Sequence, residues 1–236
     1  MKQLIDSAAM RRKNRLAIKR DARNRFDGLA LLRSTYDGEA AAVFFDPQYR
    51  AILDKMSYGN EGKSRERARV ALPQMGHEKI HEFIGEIARI LKPSGHLFFW
   101  FDKFAIGSGL HTRYLRPWTS GGARPALAIV DLIHWNKMRP GMGRRARCRS
   151  EYLVIIQKQP TRAKGIWIDH RIDDSWPEQS DRSIHPHAKP HQLTERLIRA
   201  TTKRGDVVVD PCAGSYVVLD ACIATGRIFV GCDLKK

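Results

Sequence analysis

Ala40-Ala41-Ala42-Val43-Phe44-Phe45 runs directly into Asp46-Pro47-Gln48-Tyr49, and this junction constrains the chain more than any other stretch. Six small or apolar residues without polar alternation read as a short strand buried on both faces, as parallel sheets require. Proline has no N–H to give a ladder, so the strand ends at Asp46-Pro47. An acid, a rigid turn, an amide and an aromatic are therefore predicted at the carboxyl end of a core strand. Open α/β sheets hold their ligands at that edge. The Asp46 carboxylate and the Pro47 carbonyl can both accept hydrogen bonds from an amino group, and Tyr49 offers a flat face to a planar ring. An Asp-Pro turn is also a common way to end a strand with no further role, so the rest of the chain decides between the two.

A second strand end carries small residues. Asp206-Val207-Val208-Val209-Asp210 reads as a strand and Pro211-Cys212-Ala213-Gly214-Ser215 as a tight turn. Tyr216 to Thr225 reads as a helix stopped by Gly226, and Arg227 to Cys232 as a strand ending at Asp233. This is a βαβ unit whose first turn admits a ligand beside Gly214 and the amides of a helix start. Asp233, 23 residues after Asp210, stands where such folds place an acid that accepts two ribose hydroxyls.

Between these ends, Ile80, Phe83, Ile84, Ile87 and Leu91 fall on one face of a predicted helix. It stops at Lys92-Pro93-Ser94-Gly95, and a buried strand, His96 to Phe101, follows before Asp102. Residues 107–125, with four glycines in Gly107, Gly109, Gly121 and Gly122 and two prolines in Pro117 and Pro125, read as loop. Apolar segments at 126–135 and 152–157 flank five arginines in eleven residues, Arg139 to Arg149, and suggest a hairpin presenting an Arg-rich loop. A helix is predicted from His191 to Thr201, after the stiff corner His185-Pro186-His187-Ala188-Lys189-Pro190.

Charge narrows the partners. The 236 residues carry 42 Lys and Arg against 25 Asp and Glu, a formal +17, and the excess is clustered, which points to a polyanion such as nucleic acid. Residues 1–25 hold nine Lys or Arg and two Asp; a solvated arm and a phosphate- or dimer-contacting arm fit equally. Arg65, Arg67 and Arg69 lie in a segment with the composition of a loop, able to close over a bound strand or simply to lie at the surface. No apolar run approaches the ~20 residues of a membrane span, and the N-terminus has no apolar signal core. The four cysteines (Cys148, Cys212, Cys222, Cys232) have no CxxC spacing, which fits reduced thiols in the cytoplasm. His185 and His187 have no Cys or further carboxylate at ligand spacing, which argues against zinc.

The three motifs in this order, Asp46-Pro47-Gln48-Tyr49, His185-Pro186-His187-Ala188-Lys189-Pro190 and Asp210-Pro211-Cys212-Ala213-Gly214-Ser215, resemble those of β-group DNA amino-methyltransferases of the adenine-N6 type. The family carries Asp-Pro-Pro-Tyr, then His-Pro-x-x-Lys-Pro, then Asp-Pro-Phe-x-Gly-Ser-Gly, and the likeness spans roughly residues 27–236. It implies an α/β, permuted Rossmann-like methyltransferase fold, a mostly parallel central sheet with helices on both faces. A basic arm, 1–26, would precede one domain, 27–236. The target-base half would cover about 27–160, with recognition loops 103–125 and 138–150, and the cofactor half about 183–236.

The resemblance further implies S-adenosylmethionine as cofactor, double-stranded DNA as substrate, and a homodimer, since no large separate recognition domain is evident. Asp46, Pro47, Gln48 and Tyr49 would form the catalytic group. Phe45, Asp46, His185, Lys189, Asp210, Pro211, Cys212, Ala213, Gly214, Ser215, Tyr216 and Asp233 would hold the cofactor. Arg65, Arg67, Arg69, Arg113, Arg116, Lys137, Arg139, Arg144, Arg145 and Arg147 would contact DNA. Asp at the first motif position favours adenine N6; cytosine N4, an RNA substrate, or an inactive DNA-binding relative are the alternatives. Gln48 replaces the family's second proline, where a backbone role survives the change. Tyr216 replaces a glycine, with room to crowd the methionine part of the cofactor or to stack near the target base. Pro211-Cys212 also suggests the Pro-Cys nucleophile of cytosine-C5 methyltransferases, but no basic neighbour is evident to form a thiolate.

Overall fold

The computed structural model describes residues 19–48, 75–120, 126–141, 145–179 and 188–234. Along them run α1 (Gly28–Ser34), β1 (Ala40–Phe45), α2 (His77–Ile90), β2 (Leu91–Phe101), α3 (Lys103–Gly107), α4 (Leu110–Thr119), β3 (Leu127–Gly141), β4 (Cys148–Lys158), β5 (Ser175–Pro177), α5 (His191–Thr201), β6 (Val207–Asp210), α6 (Val217–Thr225) and β7 (Ile228–Gly231).

The strands form one sheet in the order β5-β3-β4-β2-β1-β6-β7. β1 pairs in parallel with β2 on one side (Phe45 opposite Phe99) and with β6 on the other (Val43 opposite Val209). β6 and β7 are parallel, as are β3 and β5, and only β4 opposes its neighbours. All six residues of β1 are buried, as a strand covered on both faces requires.

Alternate side chains feed two cores. Val43, Phe45, Phe99 and Val209 pack with Leu29, Ile80, Phe83, Ile84, Ile87 and Tyr114, covered by α1, α2 and α4. Ala42, Phe44, Phe98 and Val208 pack with Leu193, Leu197, Val218 and Leu219, covered by α5 and α6. Period-2 alternation in the strands meets 3.6-residue stripes on the helices, so helices lie on both faces. From β1 the sheet winds outward through β2 in one direction, while β6 winds outward through β7 in the other. The β1–β6 boundary is thus the topological switch point, and its carboxyl end is the place for a ligand.

Three sequence expectations change. Residues 103–119, read as part of a recognition loop, are mostly helical. Asp102 Oδ1 caps α3 by accepting from Phe104 N and Ala105 N at 2.8 Å. Gly109, at φ +68°, links α3 to α4, which is held by buried Tyr114 and Leu115; Pro117 is tolerated in its last turns. The second recognition loop, 138–150, overlaps strands at both ends, because β3 continues to Gly141 and β4 begins at Cys148. The described part of the basic arm is docked on the sheet edge: Asp21 N donates to Phe229 O (3.0 Å), Phe26 N to Asp233 O (3.1 Å) and Asp233 N to Asn24 O (3.0 Å). No helix among the described residues is long and apolar enough to cross a membrane.

Candidate active site

At the carboxyl ends of β1 and β6 the two motifs stand side by side. Asp46 follows Phe45; Pro47 is buried, and the Gln48 carbonyl accepts from Met75 N at 2.6 Å. Tyr49 lies outside the described residues. The Phe45 side chain stacks on Phe83 at 5.3 Å inside the first core, so only its backbone remains at the strand end.

Beside Asp46 is Lys189, whose Nζ lies 3.0 Å from Asp46 Oδ2 and 2.7 Å from Glu151 Oε2, over the Trp100 ring at 5.1 Å. Glu151 also pairs with Lys137, so + and − charges alternate along Lys137–Glu151–Lys189–Asp46. Burial works against charge on Lys189, but Asp46 and Glu151 hold its ammonium above the usual lysine range. Burial likewise opposes charge on Glu151, but Lys189 and Lys137 override it and hold the carboxyl down at about 2. Sequence reading assigned Lys137 to DNA and missed Glu151; the structure engages Lys137 with this acid and over the Trp135 ring at 5.5 Å.

Lys189 is positioned from a distance. α5 begins at Pro190, which has no side-chain cap, and Glu178 supplies one, accepting from Gln192 N (2.8 Å) and Leu193 N (3.0 Å). The Glu178 carbonyl also accepts from Trp135 Nε1 at 2.8 Å. Its role has no local sequence signal, because cap and helix are separated by the His185–Pro190 corner.

On the cofactor side, Cys212 N donates to Asp210 Oδ1 and Gly214 N to Asp233 Oδ2, each at 3.0 Å. Gly214 sits at φ +47°, and a Cβ there would meet nothing closer than 3.9 Å, so the turn opens onto free space. Burial pushes Asp210 up to about 8, against the Cys212 N–H and with the help of the Asp46 and Asp233 carboxylates. At neutral pH Asp210 is then mostly protonated, and the negative charge beside the turn comes from Asp46 and Asp233. Ser215 is half-buried and Ala213 buried in the turn. Gly28 is a further residue that sequence reading passed over: a Cβ there would sit 2.2 Å from the Pro211 carbonyl, so α1 packs directly on the turn only because of that glycine.

Tyr216 does not crowd this gap. At φ +61° its side chain turns into the second core, 3% exposed, 6.2 Å from Phe229 and edge-on to it. Its hydroxyl donates to Asn24 O at 2.8 Å, and Arg23 lies over the ring at 5.3 Å. Burial, then Asp210 and Asp46, raise the Cys212 thiol well above its ordinary pKa, so it is no thiolate nucleophile.

Arg113, Arg116, Arg139, Arg145 and Arg147 are exposed, the first two on α4 and the others on or beside the β3–β4 turn. His185, Arg65, Arg67, Arg69 and Arg144 lie outside the described residues.

A sheet with one reversed strand, an Asp-Pro turn and a small-residue turn meeting at its switch point, and an acid closing the next strand define a permuted Rossmann-like methyltransferase. The chain belongs to the N6_N4_Mtase family of DNA methylases, whose profile matches residues 41–236. It is 47% identical over 212 residues to the Type II methyltransferase M.HhaII of Haemophilus parahaemolyticus, covering 90% of each chain. Solved structures share its fold, among them the two that follow. The M1.HpyAVI–SAM complex has TM-score 0.59 and 19% identity, covering 88% of this chain and 90% of that one. The PvuII DNA methyltransferase, cytosine-N4-specific, has TM-score 0.63 and 18% identity, covering 89% and 80%. The protein is an S-adenosylmethionine-dependent DNA methyltransferase.

Proposed function

We propose that the protein methylates the N6 amine of adenine in double-stranded DNA, with Asp46 as the acceptor that orients the target amine. The supporting observation is the position of Asp46: the end of β1, beside Asp210 and Cys212 at the end of neighbouring β6 and tied to Lys189. A base in a duplex is out of reach of such a cleft and must be swung out. The Asp46 carboxylate and the Pro47 carbonyl then accept hydrogen bonds from its exocyclic N–H groups, which keeps the nitrogen lone pair directed at the methyl group. Tyr49 stacks on the base. Bound S-adenosylmethionine supplies the electrophilic methyl group. The turn at 210–216 and Asp233 hold the cofactor, and the role of the chain is orientation.

Asp at the head of the first motif supports adenine; the fold shared with a cytosine-N4-specific enzyme keeps cytosine as the second reading. Arg113, Arg116, Arg139, Arg145 and Arg147 are assigned to DNA, and the assembly is read as a homodimer in the cytoplasm, where DNA and cofactor both occur. Duplex DNA treated with the enzyme and labelled cofactor is digested to nucleosides and resolved by mass spectrometry. Labelled N6-methyl-2′-deoxyadenosine is expected, and its loss in Asp46→Ala; N4-methyl-2′-deoxycytidine as the only product defeats the adenine reading.

A further inference from the structure

Glu151 joins the two working parts of the protein. It lies on β4, directly opposite Trp135 of β3 and four positions after Arg147 of the Arg-rich turn. Its carboxylate reaches back into the cleft to Lys189. We infer that Glu151 is a positioning residue: by holding Lys189 from the side opposite Asp46, it fixes the Lys189–Asp46 pair so that Asp46 stays available to the target amine, and it ties that geometry to the DNA-reading hairpin. The inference rests on Asp46 being the amine acceptor.

An ammonium carries three donors, and its position is set by the acceptors that share it. Here Asp46 at the end of β1, Glu151 on β4 and the Trp100 ring of β2 surround it, with Asp210 at the end of β6 also within its field. Lys137 of β3 holds the other side of Glu151. Taking the charge from Glu151 would leave Lys137 and Lys189 facing one neutral group. Lys189 would then move onto Asp46, occupying acceptor capacity that the amine needs. Glu151 does not touch the reacting atoms; it acts through Lys189.

The full chain is tested as Glu151→Gln, Glu151→Asp and Asp46→Ala, by single-turnover methyl transfer to duplex DNA from neutral to alkaline pH. Cofactor affinity, DNA affinity and Tm are measured alongside. Glu151→Gln is expected to slow transfer roughly 10- to 100-fold while cofactor and DNA affinities stay unchanged. Its alkaline limb should move to lower pH, because Lys189 keeps one carboxylate of two. Glu151→Asp should recover part of the rate. A carboxylate that only props the hairpin would lower Tm and DNA affinity without moving the alkaline limb; that result, or a wild-type rate in Glu151→Gln, overturns the inference. Should Glu151→Gln not fold, a wild-type rate in Glu151→Asp overturns it instead. Transfer that persists in Asp46→Ala defeats the Asp46 assignment and the inference with it. Loss in Asp46→Ala beside wild-type behaviour in Glu151→Gln defeats the inference alone.

Discussion

The Tyr216 hydroxyl donates to the Asn24 carbonyl at 2.8 Å, joining the start of α6 to a segment nearly two hundred residues earlier. Two opposing terms act at this residue. A left-handed φ costs a non-glycine residue about 1 kcal/mol or more, while a buried aromatic ring contributes about 3 kcal/mol or more. Burial wins. Tyr216→Gly, the residue the family usually has there, should therefore lower stability by roughly 2 kcal/mol in denaturant unfolding. Tyr216→Phe should cost only about 1 kcal/mol for the lost hydrogen bond.

Asp210 gives a pH dependence of defined sign. Its folded-state pKa, raised by burial to about 8, lies above the ordinary carboxyl value, so the folded state binds the extra proton. Its contribution is fully present below the unfolded pKa near 4 and is lost as pH rises through 8. Asp210→Asn, whose amide oxygen can still accept from Cys212 N, should flatten the fall of Tm across that window. A slope equal to wild type would show that Asp210 is already ionised at neutral pH.

Glu178 caps α5 from outside the helix. Glu178→Ala should destabilise the protein by about 1 kcal/mol and, by loosening the helix that follows Lys189, reduce kcat more than it alters KM for DNA. Thermal melts and steady-state kinetics on the same preparation measure both.

Exposed arginines and the engaged lysine should separate in salt titrations. Arg145→Ala and Arg147→Ala should each lower DNA affinity and reduce the slope of log Kd against log salt by about one. Lys137→Ala, whose ammonium is committed to Glu151, should leave that slope unchanged.

Cys212→Ala should retain methyl transfer, since the thiol is held protonated by burial and by neighbouring carboxylates. Complete loss in a folded variant would reopen covalent chemistry at that position.

The sheet and its motif-bearing turns were legible because their signals are local. Apolar runs mark β1 and β6, a 3.6-residue stripe marks α2, and Asp46-Pro47 and Gly214 punctuate strand ends. What stayed hidden depends on tertiary partners. Nothing near Glu151 in sequence signals Lys189, and nothing near Glu178 signals the helix it caps. Helix α4 was concealed by Gly109, which stands at its N-cap, and by Pro117, which its last turns accommodate. The side-chain direction of Tyr216 follows from a left-handed φ that no residue type other than glycine announces.

The pairing of β1 with β6 also has a consequence for biosynthesis. β1 ends at Phe45 and its partner β6 begins only at Val207, so a long stretch of chain is made between them. At translation speeds of about 5–20 residues per second, an all-apolar strand waits many seconds with one edge open. A nascent chain of this design cannot close the β1–β6 boundary until β6 arrives, and it depends on that edge being shielded until then.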